Sequence, residues 1–408
     1  MNFMKKKKSL LLWTLCSSFV ASSAWAKLSD DFTSGYLSNQ RYDLNNGLDS
    51  FQSSRLVYSD PDAPEKVFDL NLSFGTRGSN VQDENVKATT SGTFIGVDFT
   101  WNVTKWIYAQ FSGGFNFASG NSAVLYGHET SPYTGPAFDE ASFTFKPASS
   151  VDISAGVVGT DFNPISSTFS GDGFAGLRET WSWESGAFIG SLKGYQVAPN
   201  NSGAANRALN EEKNPFLSVA NLNMGFKYDR FKTLFGYTRF DFSGLTSNSA
   251  TSSMYLGNTV EGGAGDNIVN YLYNYRGQEI AAKAEVLFRL DDKLGASGNL
   301  TQNDDAPAQR NKGWMGKTYY EYNFGRYSIK PSVTRFRFEP DVIPAIFGQG
   351  ALGYLNRDGY MGEIRGSLKK YNLEAFVRYL DAKTIETNSV QSDRTSVTLG
   401  MEVKYEIL

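Results

Sequence analysis

The last fifteen residues, Arg394 to Leu408, read RTSVTLGMEVKYEIL. Val397, Leu399, Met401, Val403, Tyr405 and Ile407 take alternate positions, with Thr398, Gly400, Glu402, Lys404 and Glu406 between them. Successive side chains of an extended strand point to opposite faces, so this stretch has one apolar and one polar face. An apolar face every second residue over about ten residues is the pattern of a strand that crosses a membrane within a barrel.

The same alternation runs from Val67 onward. It predicts strands at Phe68–Phe74, Ile95–Trp101, Ile107–Phe117, Ala141–Phe145, Val151–Val157, Leu177–Trp183, Phe188–Leu192 and Ala220–Tyr228. It continues at Phe231–Tyr237, Ile280–Leu290, Leu294–Leu300, Trp314–Phe324, Tyr327–Val333, Tyr360–Leu368 and Leu373–Tyr379, before the final strand. After Val333 the phase slips to Phe336 and Phe338, which predicts a bulge. Pro331 interrupts the same strand because it has no N–H to donate to a ladder.

The connections alternate in length. Tight turns follow Trp101, Phe145, Trp183, Tyr228, Leu290, Phe324 and Leu368. Between them lie longer polar stretches such as Ala118 to Pro136, Ala198 to Pro215 and Ser243 to Tyr275. Trp101, Trp106, Phe145, Trp183, Tyr228, Phe231, Phe324 and Tyr327 sit at strand ends, where interfacial aromatics belong. The expected fold is all-β: a transmembrane, antiparallel, up-and-down barrel of about sixteen strands, with short periplasmic turns and long extracellular loops.

Residues 1–26 read as a secretory signal peptide. Lys5 to Lys8 are basic, Leu10 to Val20 are apolar, and Ala24-Trp25-Ala26 is a small-x-small cleavage site. Residues 27–66 are polar and weakly periodic, and read as a periplasmic or lumenal segment; residues 67–408 form the barrel. The only cysteine, Cys16, falls in the signal, so no disulfide is expected in the barrel. The formal net charge is −3, and loss of the signal's lysines makes the rest more acidic. Nucleic acid is therefore not an expected partner. Mean hydropathy is −0.36 despite 30 Phe and 22 Tyr, which suits a wall with one wet and one greasy face.

With its signal, its strands, its alternating connections and its terminal RTSVTLGMEVKYEIL, the chain resembles the bacterial outer-membrane porins. The resemblance spans Val67 to Leu408 and is architectural. Porins usually end on an aromatic residue, whereas this sequence ends Glu406-Ile407-Leu408. The resemblance implies location in the outer membrane, contact with its lipid and insertion by the barrel-assembly machinery. It also implies assembly as a homotrimer and passive diffusion of small polar solutes and ions, with no cofactor. Two other readings stay open: a barrel with a blocked lumen acting in adhesion or structure, and a fatty-acid-type transporter of hydrophobic substrates. In the latter, residues 27–66 would form a hatch.

A barrel this wide leaves an aqueous channel unless something fills it. The candidate lining residues are the charged ones out of phase with the apolar face. Asp69, Asp98, Glu140 and Asp152 come from early strands, and Arg178, Lys193, Lys227 and Lys232 from the next four. Facing arcs of opposite sign would set ion selectivity; the alternative is that these charges only keep the wall wet. Two loops are candidates to fold inward. Glu339 to Tyr354 (EPDVIPAIFGQGALGY) is too apolar for a free external loop, and Glu339, Asp341, Phe347 and Tyr354 mark it. Met254 to Tyr275 is rich in Tyr and Gly.

Enzyme chemistry is not expected. The one histidine, His128, lies in a loop with no serine nucleophile motif beside it. One histidine and no barrel cysteine give no metal-ligand spacing. Phosphate-cradling motifs are missing too.

Overall fold

The computed structural model describes residues 67–82, 86–124, 134–159, 162–163, 168–169, 173–199, 215–245, 249, 253–259, 274–288, 292–388 and 390–406. Residues 1–66, and with them the expected signal and N-terminal segment, lie outside this set. So do His128, Ile407 and Leu408.

Sixteen strands follow in order: β1 (Phe68–Gln82), β2 (Val86–Thr104), β3 (Ile107–Val124), β4 (Gly135–Ala148), β5 (Val151–Gly159), β6 (Gly173–Ser185), β7 (Phe188–Ala198) and β8 (Phe216–Tyr228). The rest are β9 (Phe231–Ser243), β10 (Tyr275–Leu287), β11 (Lys293–Asn303), β12 (Lys312–Phe324), β13 (Tyr327–Phe338), β14 (Arg357–Leu368), β15 (Leu373–Thr384) and β16 (Arg394–Glu406). Each pairs antiparallel with its chain neighbours, and β1 pairs with β16, from Asn71↔Glu406 to Gln82↔Thr395, to close the barrel. Closure leaves no sheet edge and satisfies the backbone without water, which a bilayer requires.

The outer face carries the apolar phase. Phe143, Val333, Ile364 and Leu399 are exposed by 63, 60, 59 and 52%. In a soluble protein such a belt would be an aggregation hazard; around a closed barrel it is the lipid contact. Rings gather where strands meet the periplasmic turns: Phe68 stacks on Trp101 at 5.9 Å and Phe324 on Tyr327 at 5.5 Å. The turns are tight because they can adopt left-handed backbone, as at Gly186 (φ 59°) and Gly325 (φ 65°). Among the described residues no helix is long and apolar enough to cross a membrane.

Two sequence expectations need correction. No bulge lies at Phe336: β13 and β14 keep one register from Tyr327↔Leu368 to Phe338↔Arg357. The apparent slip arises because Phe336 and Phe338 stay on the inner face, where they are buried. The register does shift between Asn102 and Thr104, beside Ser112/Gly113, and between Phe145 and Ala148. Second, Ala118 to Pro136 is not all loop. β3 runs on to Val124 and β4 begins at Gly135, with Thr89↔Asn121 and Val86↔Val124 still paired. Above the lipid both strand faces meet water, so the ladder continues after the alternation has stopped.

Candidate functional site

The inner wall is built by the polar phase of the same strands. Asp69 lies on β1, Asp98 on β2, Glu140 on β4 and Asp152 on β5; Arg178 is on β6, Lys193 on β7, Lys227 on β8 and Lys232 on β9. Each is out of phase with its strand's exposed apolar residues, and so faces inward. Asp69 accepts from Asn71 at 3.1 Å, Asp98 from the Ser112 hydroxyl at 2.5 Å, and Asp152 lies 3.8 Å from Lys146. Arg178 donates to Glu140 at 2.9 Å and to the Ser154 hydroxyl at 3.3 Å. The acidic and basic arcs therefore touch at β4–β6. Lys227 and Lys232 stand directly opposite each other in the β8–β9 register.

A second charged wall covers β10 to β16. Lys283 lies 3.2 Å from Glu285, which also accepts the Tyr319 hydroxyl. Lys283 and Lys330 lie over the Tyr319 ring at 5.5 and 4.4 Å. Glu363 accepts from Arg378 at 2.7 Å and from Arg365 at 3.0 Å. Arg77, Arg365 and Arg378 surround the Phe376 ring at 6.0, 5.5 and 5.2 Å. The ring fits because Gly400 leaves room: a Cβ there would run into it. Tyr319 and Phe376 escaped the sequence reading, although their signal was an aromatic residue in the polar phase.

Two loops enter this interior. The chain from 339 to 356, between β13 and β14, crosses to the far wall. There Phe347 stacks on Phe242 of β9 at 5.5 Å and meets Phe174 of β6 edge-on at 5.2 Å. Val342, Ile343 and Ala345 are fully buried. Around them close the inward residues Val158, Tyr195, Leu217, Phe240, Met315 and Phe336, together with others from β5 to β10 and β12 to β15. Among the described residues, β1 to β4 and β16 contribute nothing to this apolar cluster. The second loop joins β5 to β6 and was not anticipated. Its Phe169 forms a bridge to Gly348, and its Asn163 and Thr168 reach a buried network of Glu279, Asn299 and Thr301. Phe162 and Phe169, two rings in an otherwise polar stretch, were the available signal.

Of the four residues chosen for the first loop, Glu339 stays at the rim and accepts the Lys312 N–H at 2.9 Å. Asp341, Phe347 and Tyr354 are buried, so they anchor the loop rather than line a passage. Of the second candidate, Met254 to Tyr275, residues 254–259 braces the first loop from above, and residues 260–273 lie outside the described set. Asn258 donates to the carbonyls of Pro340 and Ile343 at 2.6 and 3.0 Å and accepts the Ala345 N–H at 2.7 Å. Asp341 accepts the Thr259 N–H at 2.9 Å. Burial pushes its carboxyl up to about 6, against the opposing hydrogen bonds from Thr259.

Among the described residues no group of His, Cys, Asp and Glu is placed to hold a metal ion. No family model and no curated protein matches the sequence. Solved structures do match. Pseudomonas putida OprB superimposes with a TM-score of 0.54 at 14% identity, over 83% of this chain and 94% of that one. Salmonella typhi OmpF gives 0.50 at 12% identity, over 83% and 97%. Vibrio cholerae OmpT gives 0.50 at 12%, over 84% and 99%. The likeness is one of fold: this chain is a transmembrane β-barrel with the architecture of the outer-membrane porins.

Proposed function

We propose that this chain, an outer-membrane barrel of porin fold, is a channel for passive diffusion of small hydrophilic solutes and ions. The observation that carries the reading is the division of the interior. The apolar cluster and its two loops occupy the side of β5 to β10 and β12 to β15. The side of β1 to β4 and β16 keeps a polar lining that includes Asn71, Arg77, Asp98, Gln110 and Ser112. The passage runs along that wall, narrowed by the loops and fed by charged residues at the periplasmic end. A channel of this kind binds its solutes weakly and needs no acid, base or nucleophile, so no enzyme activity is proposed.

The same apolar cluster gives the second reading its support. If the loops close the bore entirely, the barrel serves adhesion or structure, or passes hydrophobic molecules. Single-channel recording in a planar bilayer separates the readings. Stable ohmic steps, with a reversal potential under a salt gradient, are the expected result. A folded, heat-modifiable barrel that never conducts would end the diffusion reading.

A further inference from the structure

The tight turns that follow β12 and β14 carry an excess of positive charge. Arg326 lies in the β12–β13 turn, and Lys369 and Lys370 in the single helical turn that joins β14 to β15. The two turns are tied together, because the Lys369 N–H donates to the Arg326 carbonyl at 2.9 Å. All three residues are exposed. Among the described residues no carboxylate forms an ion pair with any of them. The inward cations nearby are paired: Lys293 and Lys330 lie 3.8 and 4.0 Å from Glu321, and Lys404 lies 3.7 Å from Glu402. So are the outward cations at the extracellular end, where Arg239, Arg276, Arg335 and Arg337 meet Asp304, Asp305 and Asp358. Other described turns at the periplasmic end lack such a cluster. The turn after β2 has the single cation Lys105, the turn after β8 balances Arg230 with Asp229, and the end of β6 carries Glu184.

These cations stand at the depth of the lipid headgroups. Phe324, Tyr327 and Tyr371 are exposed beside them, and the Lys370 ammonium lies over the Tyr371 ring at 4.9 Å. Exposed rings of this kind mark the boundary between membrane and water. Away from the turns the same outer face is apolar, with Ile329, Ile364 and Val377 exposed where acyl chains run. A phosphodiester accepts hydrogen bonds from guanidinium and ammonium groups alike. Every phospholipid carries that group, but three cations without a carboxylate favour a headgroup whose net charge is negative. A free anion would meet the charges and gain nothing from the apolar face. We propose that the β12–β13 and β14–β15 turns bind an anionic phospholipid of the periplasmic leaflet, its phosphate held by Arg326, Lys369 and Lys370 and its chains laid along β13 to β15. Such a site serves an open barrel and a blocked one equally.

The test uses the chain inserted in the outer membrane and extracted in a neutral detergent, with heat-modifiability as the control for folding. Phosphatidylglycerol and phosphatidylcholine of equal chain length are titrated separately, and bound lipid is counted by native mass spectrometry. The wild type is expected to prefer phosphatidylglycerol, and to prefer it less as salt rises. Arg326→Gln/Lys369→Gln/Lys370→Gln is expected to bind phosphatidylglycerol on the order of a hundredfold more weakly at low salt. Arg335→Gln/Arg337→Gln, at the opposite end, is expected to keep the wild-type preference. Equal binding of the two lipids by the wild type would overturn the proposal without any variant. So would a preference that the triple variant keeps, or complete displacement of the lipid by inorganic phosphate, which would mark a site for free anions. A preference that emerges only after removal of residues 27–66, where acids outnumber bases, would mean that this segment and not lipid covers the turns.

Discussion

Gln349 and Phe169 are 180 residues apart in sequence, yet the Gln349 amide donates to the Phe169 carbonyl at 2.9 Å in the middle of the barrel. One belongs to the β13–β14 loop and the other to the β5–β6 loop. With the Phe169↔Gly348 bridge beside it, this contact makes one structure of two loops from distant strands. The Gln349 amide N–H and the bridge give backbone groups of both loops partners in a dry part of the interior, while the Gln349 Oε1 is buried without one. The apolar rings around it supply the burial, and the hydrogen bonds fix the position.

Phe347 is the ring that holds the crossing loop to the far wall. Phe347→Ala removes its contacts with Phe242 and Phe174 and is expected to cost roughly 3–5 kcal/mol of local stability. The loop loosens while the hydrogen-bonded wall stays closed. Single-channel conductance should rise and become noisier, with the heat-modified gel shift intact. Conductance equal to wild type would show that the loop does not narrow the passage.

Glu140 and Arg178 form the seam between the acidic and basic arcs, both largely buried and 2.9 Å apart. Glu140→Gln keeps the shape and leaves the guanidinium without its counter-charge. The expected loss is about 1–3 kcal/mol, as for other buried charged partners. In a salt gradient the reversal potential should move toward anion preference, and Arg178→Gln should move it the other way. If neither variant shifts it, the seam is outside the ion path.

The strands were legible because lipid outside and water inside impose a strict two-residue period, and Phe68 to Tyr405 obeys it. The seven short turns were legible for the same reason: they are where the period restarts. What the period hid was the extracellular half of the interior. Phe174, Leu217, Phe240, Phe336 and Met361 are apolar residues in the polar phase, and all lie near the outer ends of their strands. A search for such residues would have located the loop-packed region. The pairing of Gln349 with Phe169 depends on which loops meet inside the barrel, and that of Glu363 with Arg378 on the β14–β15 register, neither of which periodicity encodes. The charged residues of the inner face could be identified by phase, but not their partners.

Gly400 offers a sharper test of the arginine wall. A methyl group there collides with the Phe376 ring. Gly400→Ala must push the ring inward or turn it, which moves Arg77, Arg365 and Arg378 with it. Overpacking of this kind costs typically 1–3 kcal/mol. The barrel should still form, because the β15–β16 ladder at Phe376↔Gly400 involves only backbone. Entry of anionic solutes should change more than that of neutral ones of the same size in liposome-swelling measurements. Equal changes for both would mean that the ring only fills space.

Asp341 couples the crossing loop to pH. Its carboxyl titrates at about 6 because it is buried, well above its ordinary value of 3.8. A raised acid binds more protons in the folded state than in the unfolded one. Its contribution to stability is therefore greatest below pH 4 and falls as pH rises through about 6. A gap of about two pH units corresponds to roughly 3 kcal/mol between the extremes. Asp341→Asn keeps an oxygen to accept the Thr259 N–H and never ionises. The wild type should lose unfolding resistance between pH 4 and 7, while the variant stays nearly flat and is the more stable of the two at pH 7. Denaturant midpoints measured across that range decide it. Parallel curves for the two proteins would show that Asp341 stays charged when folded, and that the Thr259 contact outweighs its burial.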